Sequence, residues 1–291
     1  METKQERLFF RRFQQQELDG GALYAKIAGL AKEAHDREVL FSISRDEYRH
    51  AQTYAKYSGG AHLRPNRLKV LAYAAAARIL GYTFVIKLLE NGEDRGIRAF
   101  RGSGLSCPEY DGIFQDENRH EAALMEMLDE ERLRFLGEIV LGMNDALVEL
   151  TGSLAGYTFA MQNTKVIAMA GLITGISATL SMAASGFLSA RAAGAKDASK
   201  SSLYTGIAYL VTIVLLILPY LLFPAQLYLG ALGVTLLIAV AVIAGFNFYV
   251  SVARDKPFRR GFLEMACISL GVAAISFGVG IVVKNVLGID L

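Results

Sequence analysis

The sequence predicts an all-α protein in two parts, a polar helical bundle followed by a membrane domain. Three observations lead to this fold class. Of the 291 residues, those before about Arg134 are rich in charged side chains and tyrosine. From Leu136 onward long apolar stretches take over, and charge is confined to short islands. Glycines and prolines divide the polar part into helix-length segments. We therefore predict one domain over residues 1–135 and a second over 136–291.

Four helices can be drawn in the first domain. Gly59-Gly60 with Pro65, and Gly104 with Pro108, mark two of the connections. The stretch Leu68–Leu89 is long and apolar but contains charged residues, which are costly in the middle of a bilayer. We interpret it as the buried helix of a soluble bundle, with a membrane span as the alternative. The predicted helices cover residues 5–34, 36–58, 66–91 and 109–134.

Five segments of the second domain are long and apolar enough to cross a bilayer, which requires roughly twenty apolar residues. Small and polar residues interrupt the first three, and this is typical of helices that pack on one another. The sequence therefore predicts a five-helix transmembrane domain, with spans over about 138–161, 166–190, 203–223, 226–250 and 264–287.

The basic loops predict the orientation of these spans. Positive residues gather in the cytosolic loops of membrane proteins, and here they follow the second and fourth spans. The N-terminus has no apolar core of the length that a secretory signal needs. We expect a cytosolic first domain and an external C-terminus. The basic residues are Arg191, Lys196 and Lys200 in one loop, and Arg254, Lys256, Arg259 and Arg260 in the other.

Composition excludes some functions. The net charge is +2, and no basic stripe suggests a nucleic-acid partner. The two cysteines, Cys107 and Cys267, form no CxxC pair. A disulfide framework, a structural zinc knuckle and a rubredoxin-type iron centre are therefore all disfavoured.

Carboxylates and histidines of the first domain form a metal-ligand pattern. Residues three apart share a helix face, so the Glu and His of an ExxH segment can hold one ion. Two ExxH helices combined with two Glu-bearing helices are the ligand set of di-iron and di-manganese bundles. Such an oxygen-rich set with imidazoles suits iron(II) or manganese(II). The predicted ligands are Glu17 on the first helix, Glu47 and His50 on the second, Glu90 and Glu93 on the third, and Glu117 and His120 on the fourth.

The alternative interpretation of these segments is a set of ordinary surface residues. A single ExxH is more often a solvated helix face than a metal site. Its occurrence on two helices, with Glu on the others, favours the metal site. His35 and His62 lack such partners and are interpreted as surface residues. Tyr24 lies on the face of Glu17 and is either a neighbour of the site or part of the core.

The membrane domain carries polar and ionisable residues within its predicted spans, where they cost free energy. Asp145 and Glu149 lie one turn apart on the first span, with Asn144 beside them. Carboxylates in a membrane helix mark an ion or proton pathway by default, although Asp145 could instead lie at the interface and cap its helix. Met182, among the small residues of the second span, is either packing or a soft ligand.

Residues 17–131 resemble a ferritin-like domain of the rubrerythrin type, with Glu90-x-x-Glu93 similar to the pair on that group's third helix. The resemblance implies a centre that binds ferrous iron and oxidises it with oxygen or peroxide. The cysteine-ligated electron-transfer module of full rubrerythrins is missing, which puts a complete peroxidase cycle in doubt.

Residues 136–291 resemble the vacuolar iron transporter family. The resemblance rests on Asn144, Asp145, Glu149 and Gly152 in the first span, and on Ser181-Met182-Ala183-Ala184 followed by Leu188-Ser189. It implies that Asp145 and Met182 line the route of a ferrous ion, in a homodimer that exchanges metal for protons. Two features depart from the family: Gly186 stands where a glutamate is common, and the loop after the second span is short and basic.

The two resemblances together are those of the bacterial membrane-bound ferritins. They imply a protein of the prokaryotic inner membrane that exports Fe²⁺, with Mn²⁺ as a second substrate. The carboxylates Asp145 and Glu149 would receive the metal, and Met182 would lie farther along the route. One alternative is a membrane-tethered ferroxidase or peroxidase whose C-terminal half is an anchor, and another is an iron sensor.

Overall fold

The computed structural model describes residues 4–31, 33–60, 62–105, 107–127, 135–254 and 256–287. Within these ranges the chain forms ten α-helices and no β-strand. It divides into two compact units, Met1–Glu131 and Arg132–Leu291, which are described separately below. The all-helical class predicted from the sequence is confirmed for the described residues.

The described residues of the first unit form five helices. They are α1 (Lys4–Ala28), α2 (Ala34–Tyr57), α3 (Arg67–Leu80), α4 (Tyr82–Ser103) and α5 (Tyr110–Glu126). The long helices α1 and α2 pack closely along each other. Glycine makes this possible, because a Cβ atom at Gly21 would lie 3.1 Å from the backbone oxygen of Ser44. The predicted residues 128–134 of the last helix lie outside the described residues.

The prediction of one helix over 66–91 is wrong. Gly81, with φ at 100°, separates α3 from α4, and its N–H caps α3 by donating to the Ala77 oxygen at 3.0 Å. Residues other than glycine rarely adopt this backbone conformation. The expected burial also fails in α3, where the side chain of Leu68 is 82% exposed and that of Leu71 is 55% exposed. In α3 the buried side is formed by Val70 and Ala77, whereas the second half of the stretch has a buried run around Val85 and Ile86.

An aromatic cluster closes one end of the first unit. Phe10, Tyr54 and Phe100 are buried there, and the rings of Phe100 and Tyr110 stack at a centroid distance of 3.9 Å. Burial of large apolar side chains is the main stabilising contribution in such a cluster. The cluster fixes α1, α2, α4 and α5 at this end.

The second unit contains the other five helices. They are α6 (Leu136–Met161), α7 (Thr164–Ala192), α8 (Ala198–Leu222), α9 (Tyr228–Arg254) and α10 (Phe258–Leu287). Four of them, α7 to α10, are long and apolar enough to cross a membrane. Helix α6 has 26 residues but carries the carboxylates of Glu138, Asp145 and Glu149. The first predicted span, over about 138–161, therefore stays a prediction.

Helix α6 packs against all four apolar helices of its unit. A Cβ atom at Gly142 would lie 2.4 Å from the Thr205 oxygen of α8. A Cβ atom at Gly280 of α10 would lie 2.6 Å from the Gly156 oxygen of α6. Small residues at such positions let membrane helices approach closely, so these glycines let α6 pack against α8 and α10. Asn144 and Asp145 are half-buried there, and Glu149 is exposed.

Candidate metal centre

Four of the predicted metal ligands meet inside the first unit. They are Glu17 on α1, Glu47 and His50 on α2, and Glu117 on α5. Each offers one ligand atom, and these atoms all lie within 4.8 Å of one another. Three helices far apart in sequence thus bring one imidazole and three carboxylates to a single point.

The second predicted histidine faces the same point. His120 Nδ1 lies 3.6 Å from Glu47 Oε1 and 3.5 Å from Glu117 Oε2. His50 Nδ1 lies 3.1 Å from the other Glu117 oxygen, Oε1. The Glu117 carboxylate therefore lies between the two imidazoles, in a position to bridge two ions.

Several ligand atoms lack a hydrogen-bond partner of regular geometry among the described residues. Glu47 Oε1, His50 Nδ1, Glu117 Oε2 and His120 Nδ1 are all in this state, and all are buried. A buried polar atom without a partner is costly. A cation coordinated at the centre would satisfy all four atoms, so the donor set fits a metal.

Each imidazole is held from behind by an aspartate of the other ExxH helix. His50 Nε2 lies 3.1 Å from Asp116 Oδ2, and His120 Nε2 lies 3.1 Å from Asp46 Oδ2. An Nε2–H donated to a carboxylate fixes the ring orientation and leaves Nδ1 free to coordinate. The two contacts cross between α2 and α5 in a reciprocal manner.

Two arginines join these aspartates on the outer side. Arg49 Nη2 lies 2.8 Å from Asp46 Oδ1 and 2.6 Å from Asp116 Oδ2. Arg119 Nη2 lies 2.6 Å from Asp116 Oδ1 and 3.4 Å from Asp46 Oδ2. None of these four residues was predicted from the sequence. The signal was present, because residues 46–50 read DEYRH and residues 116–120 read DENRH.

Helix α4 brings the remaining glutamates to the same region. Tyr24 OH donates to Glu93 Oε1 at 3.5 Å. Burial, followed by the charges of Glu117 and Glu17, raises the pKa of Glu93 well above its usual range. Glu90 is half-buried one turn earlier and its charge contributes to the same effect. Tyr24 is buried and its hydroxyl contacts Glu93. Both interpretations made from the sequence therefore apply, because it is a core residue and also a neighbour of a candidate ligand.

Burial and close charges shift the pKa values of the cluster. Burial, followed by the charge of Glu17, raises the pKa of Glu47 well above its usual range. Burial alone would lower the pKa of His50, but the nearby carboxylates of Glu117 and Glu17 raise it to about 10. Burial opposes ionisation of Glu117, and the nearby rings of His120 and His50 nevertheless lower its pKa. A divalent cation would replace the protons of this cluster.

A cavity of about 630 Å³ adjoins the centre. Its lining includes the carboxylates of Glu17, Glu47, Glu93 and Glu117, and side chains from α3 such as Lys69 and Tyr73. The ligands are therefore reached from one side through a space between helices of the first unit.

The second unit places its polar residues on and beside α6. Tyr209 OH of α8 donates to Glu149 Oε2 at 2.6 Å. Asp145 lines a cavity of about 460 Å³ together with Asn144, Met265 and Ser269. Asn144 Oδ1 and Ser269 Oγ are buried and have no hydrogen-bond partner among the described residues.

Met182 is half-buried and packs against the apolar cluster of the second unit. The thioether that lines the Asp145 cavity is that of Met265, which the sequence analysis did not select. Met265 could not be predicted, because no local sequence pattern shows that α10 packs against α6.

The apolar helices indicate an integral membrane protein, and the polar residues of α6 are those expected of a protein that moves ions. The comparison with protein families agrees with this class. Residues 136–195 match the profile described as the VIT family, which supports the resemblance of the membrane half to iron and manganese transporters. The comparison with curated proteins gives no match.

Proposed function

We propose that this protein is a membrane transporter that exports Fe²⁺, and also Mn²⁺, from the cytosol. The observation that carries the proposal is the joining of two parts in one chain. A buried Glu/His cluster in the first unit has ligand atoms within 4.8 Å of one another. The second unit has apolar helices, a VIT family match over residues 136–195, and carboxylates on α6.

In this proposal the first unit is a ferritin-like bundle that captures the metal. Carboxylates and imidazoles favour iron(II) and manganese(II) over copper(I). The bridging position of Glu117 and the two imidazoles on either side of it favour a centre of two ions. The ligands would be Glu17, Glu47, His50, Glu90, Glu93, Glu117 and His120.

The route through the second unit would begin at Asp145 and Glu149. The Glu149 side chain is exposed in the single chain, although it lies on a helix packed among apolar helices. A carboxylate facing lipid is expensive, so this exposure favours a homodimer in which the partner copy or a cation covers it. Met182 on α7 would lie farther along the route, and Met265 beside Asp145 offers a second soft ligand.

Protons moving inward would supply the driving force, since they compete with metal for carboxylates. The basic loops support an orientation with the first unit in the cytosol and the C-terminus outside. In this proposal the chain lies in a prokaryotic inner membrane. Capture of a toxic cytosolic cation by the first unit would then feed its expulsion by the second.

Reconstitution into proteoliposomes tests the transport. The wild-type chain should carry radioactive Fe²⁺, kept reduced by ascorbate without oxygen, across the membrane, and in a separate assay Mn²⁺. The metal flux should be faster when a proton gradient drives protons in the opposite direction. Glu149→Ala should abolish this flux. Glu264→Ala, at an exposed carboxylate of α10 paired with Arg260, is the matched control. Equal flux in Glu149→Ala and wild type would reject the route.

A tethered ferroxidase is the second candidate function, favoured by the enclosed Glu/His cluster with Tyr24 beside it. Oxygen consumption on addition of Fe²⁺ separates the two. As a ferroxidase alone, the protein would consume oxygen in both wild type and Glu149→Ala and move no metal in either. Glu47→Ala should abolish the oxygen consumption.

A further inference from the structure

Helix α3 presents an apolar face outward from the first unit. Leu68, Leu71, Ala72 and Ala75 are all exposed, and the side chain of Ile79 is 72% exposed. Their spacing of three and four residues puts them on one side of an α-helix. The opposite side, with Val70 and Ala77, is buried against the unit.

This orientation is fixed by the fold. Asp19 Oδ1 accepts from the backbone N–H of Asn66, at 2.8 Å, and Asp19 Oδ2 accepts from Lys69 Nζ at 3.0 Å. The Asn66 side chain accepts from the Lys69 N–H and caps the helix. The start of α3 is therefore tied to α1, and the apolar face cannot turn inward without breaking these bonds.

The charges on α3 are all positive. Its sequence, RLKVLAYAAAARIL, contains Arg67, Lys69 and Arg78 and no acidic residue. On a helical projection Arg67 and Arg78 lie together at one edge of the apolar face. An apolar face edged by basic residues is the pattern of a helix that lies in the plane of an anionic membrane surface.

We propose that α3 is an interfacial helix that docks the first unit onto the lipid bilayer, with its apolar face among the acyl chains and its arginines at anionic headgroups. The occupant follows from charge and connectivity. The same chain continues into the apolar helices α7 to α10, so a bilayer lies within reach. A second copy of α3 would bring like charges together, whereas anionic headgroups complement Arg67 and Arg78. The inference does not depend on metal binding or transport.

Docking would also orient the cavity of the first unit. Lys69, Val70 and Tyr73 of α3 line that cavity, which reaches Glu17 and Glu47. A docked α3 would hold this side of the unit at the membrane surface, where the cavity takes up cations that the headgroup layer concentrates.

Spin labels on the full-length chain in vesicles test the docking. In a background of Cys107→Ser and Cys267→Ser, one label is placed by Ala75→Cys and a matched one by Ala122→Cys on the exposed side of α5. In vesicles containing phosphatidylglycerol, oxygen should relax the label at position 75 more than a water-soluble nickel chelate does. The label at position 122 should show the reverse.

Removal of the two arginine charges of α3 is a second test of the docking. Arg67→Gln with Arg78→Gln should lower the ratio of docked to undocked unit roughly thirtyfold, since each basic residue contributes about a factor of five at an anionic surface. Equal access of the chelate to positions 75 and 122 would overturn the proposal. Spin–spin broadening at position 75 would also overturn it, in favour of contact between two copies of α3.

Discussion

His120 on α5 is oriented by Asp46 on α2, with Nε2 and Oδ2 3.1 Å apart, while Nδ1 of the same ring faces the candidate metal ligands Glu47 and Glu117. His50 has the mirror arrangement with Asp116. Each ExxH helix therefore supplies a ligand for the centre and the support for the other helix's ligand. In the proposed metal centre the two helices would therefore depend on each other.

Loss of this support should weaken metal binding without removing a ligand. Asp46→Ala should lower Mn²⁺ affinity by roughly 10- to 100-fold, as is typical when an outer partner of a histidine ligand is removed. Isothermal titration of the metal-free, detergent-solubilised chain measures this. Glu38→Ala, at an exposed position of the same helix, should bind as the wild type does. Unchanged affinity in Asp46→Ala would show that the aspartate does not orient the ring.

Gly20 makes room for a ligand. A Cβ atom there would lie 2.7 Å from Glu47 Oε2, so Gly20→Ala should displace that carboxylate and reduce Mn²⁺ affinity while the helices persist. Gly112→Ala is the control, because nothing lies within 4 Å of its Cβ position. Glycine destabilises a helix by roughly 0.5–1 kcal/mol relative to alanine, so the control should melt at a slightly higher temperature. Wild-type affinity in Gly20→Ala would contradict the prediction.

Metal binding should release protons. Close contacts with Glu117 and Glu17 outweigh burial and raise the pKa of His50 to about 10. Burial, followed by the charge of Glu17, raises the pKa of Glu47. A divalent cation competes with protons for these groups, so affinity should fall as the pH decreases. Calorimetric titrations in buffers of different ionisation enthalpy measure the release, and an enthalpy independent of the buffer would refute it.

The tyrosine that holds Glu149 should matter for transport. Tyr209→Phe removes the hydrogen bond to Glu149 and should lower metal flux in proteoliposomes. Tyr220→Phe is a close control, because it removes the hydroxyl that lies 2.6 Å from Thr158 Oγ1 in the core of the same unit. A larger loss of flux in Tyr220→Phe than in Tyr209→Phe would contradict a role specific to Glu149.

The cluster of candidate ligands could be predicted because the spacing of its members is local. An ExxH segment places both ligands on one helix face whatever surrounds it, and four of the predicted residues meet at one point. Asp46 and Asp116 were missed because each supports a histidine about seventy positions away, and only the packing of α2 against α5 reveals the contact. Comparison of the two DExRH segments would have drawn attention to them.

The third predicted helix failed for a different reason. An apolar run from Leu68 to Leu89 looks continuous by hydropathy, but Gly81 takes a backbone conformation that ends one helix and starts another. Composition alone also predicts burial wherever leucine is frequent. The exposed leucines of α3 depart from that expectation, as residues at an interaction surface often do.

The guanidinium groups of Arg49 and Arg119 make one side of the centre chemically different from the side that faces the cavity. They stand at the solvent side of the α2–α5 pair, with side chains 57% and 64% exposed, and each reaches both aspartates behind the imidazoles. The two guanidinium groups and the two carboxylates that they contact balance in charge, so this side offers a cation no net attraction. The cavity lined by Glu17, Glu93 and Glu117 does attract a cation. In the proposed centre, loading and unloading would then both use the cavity.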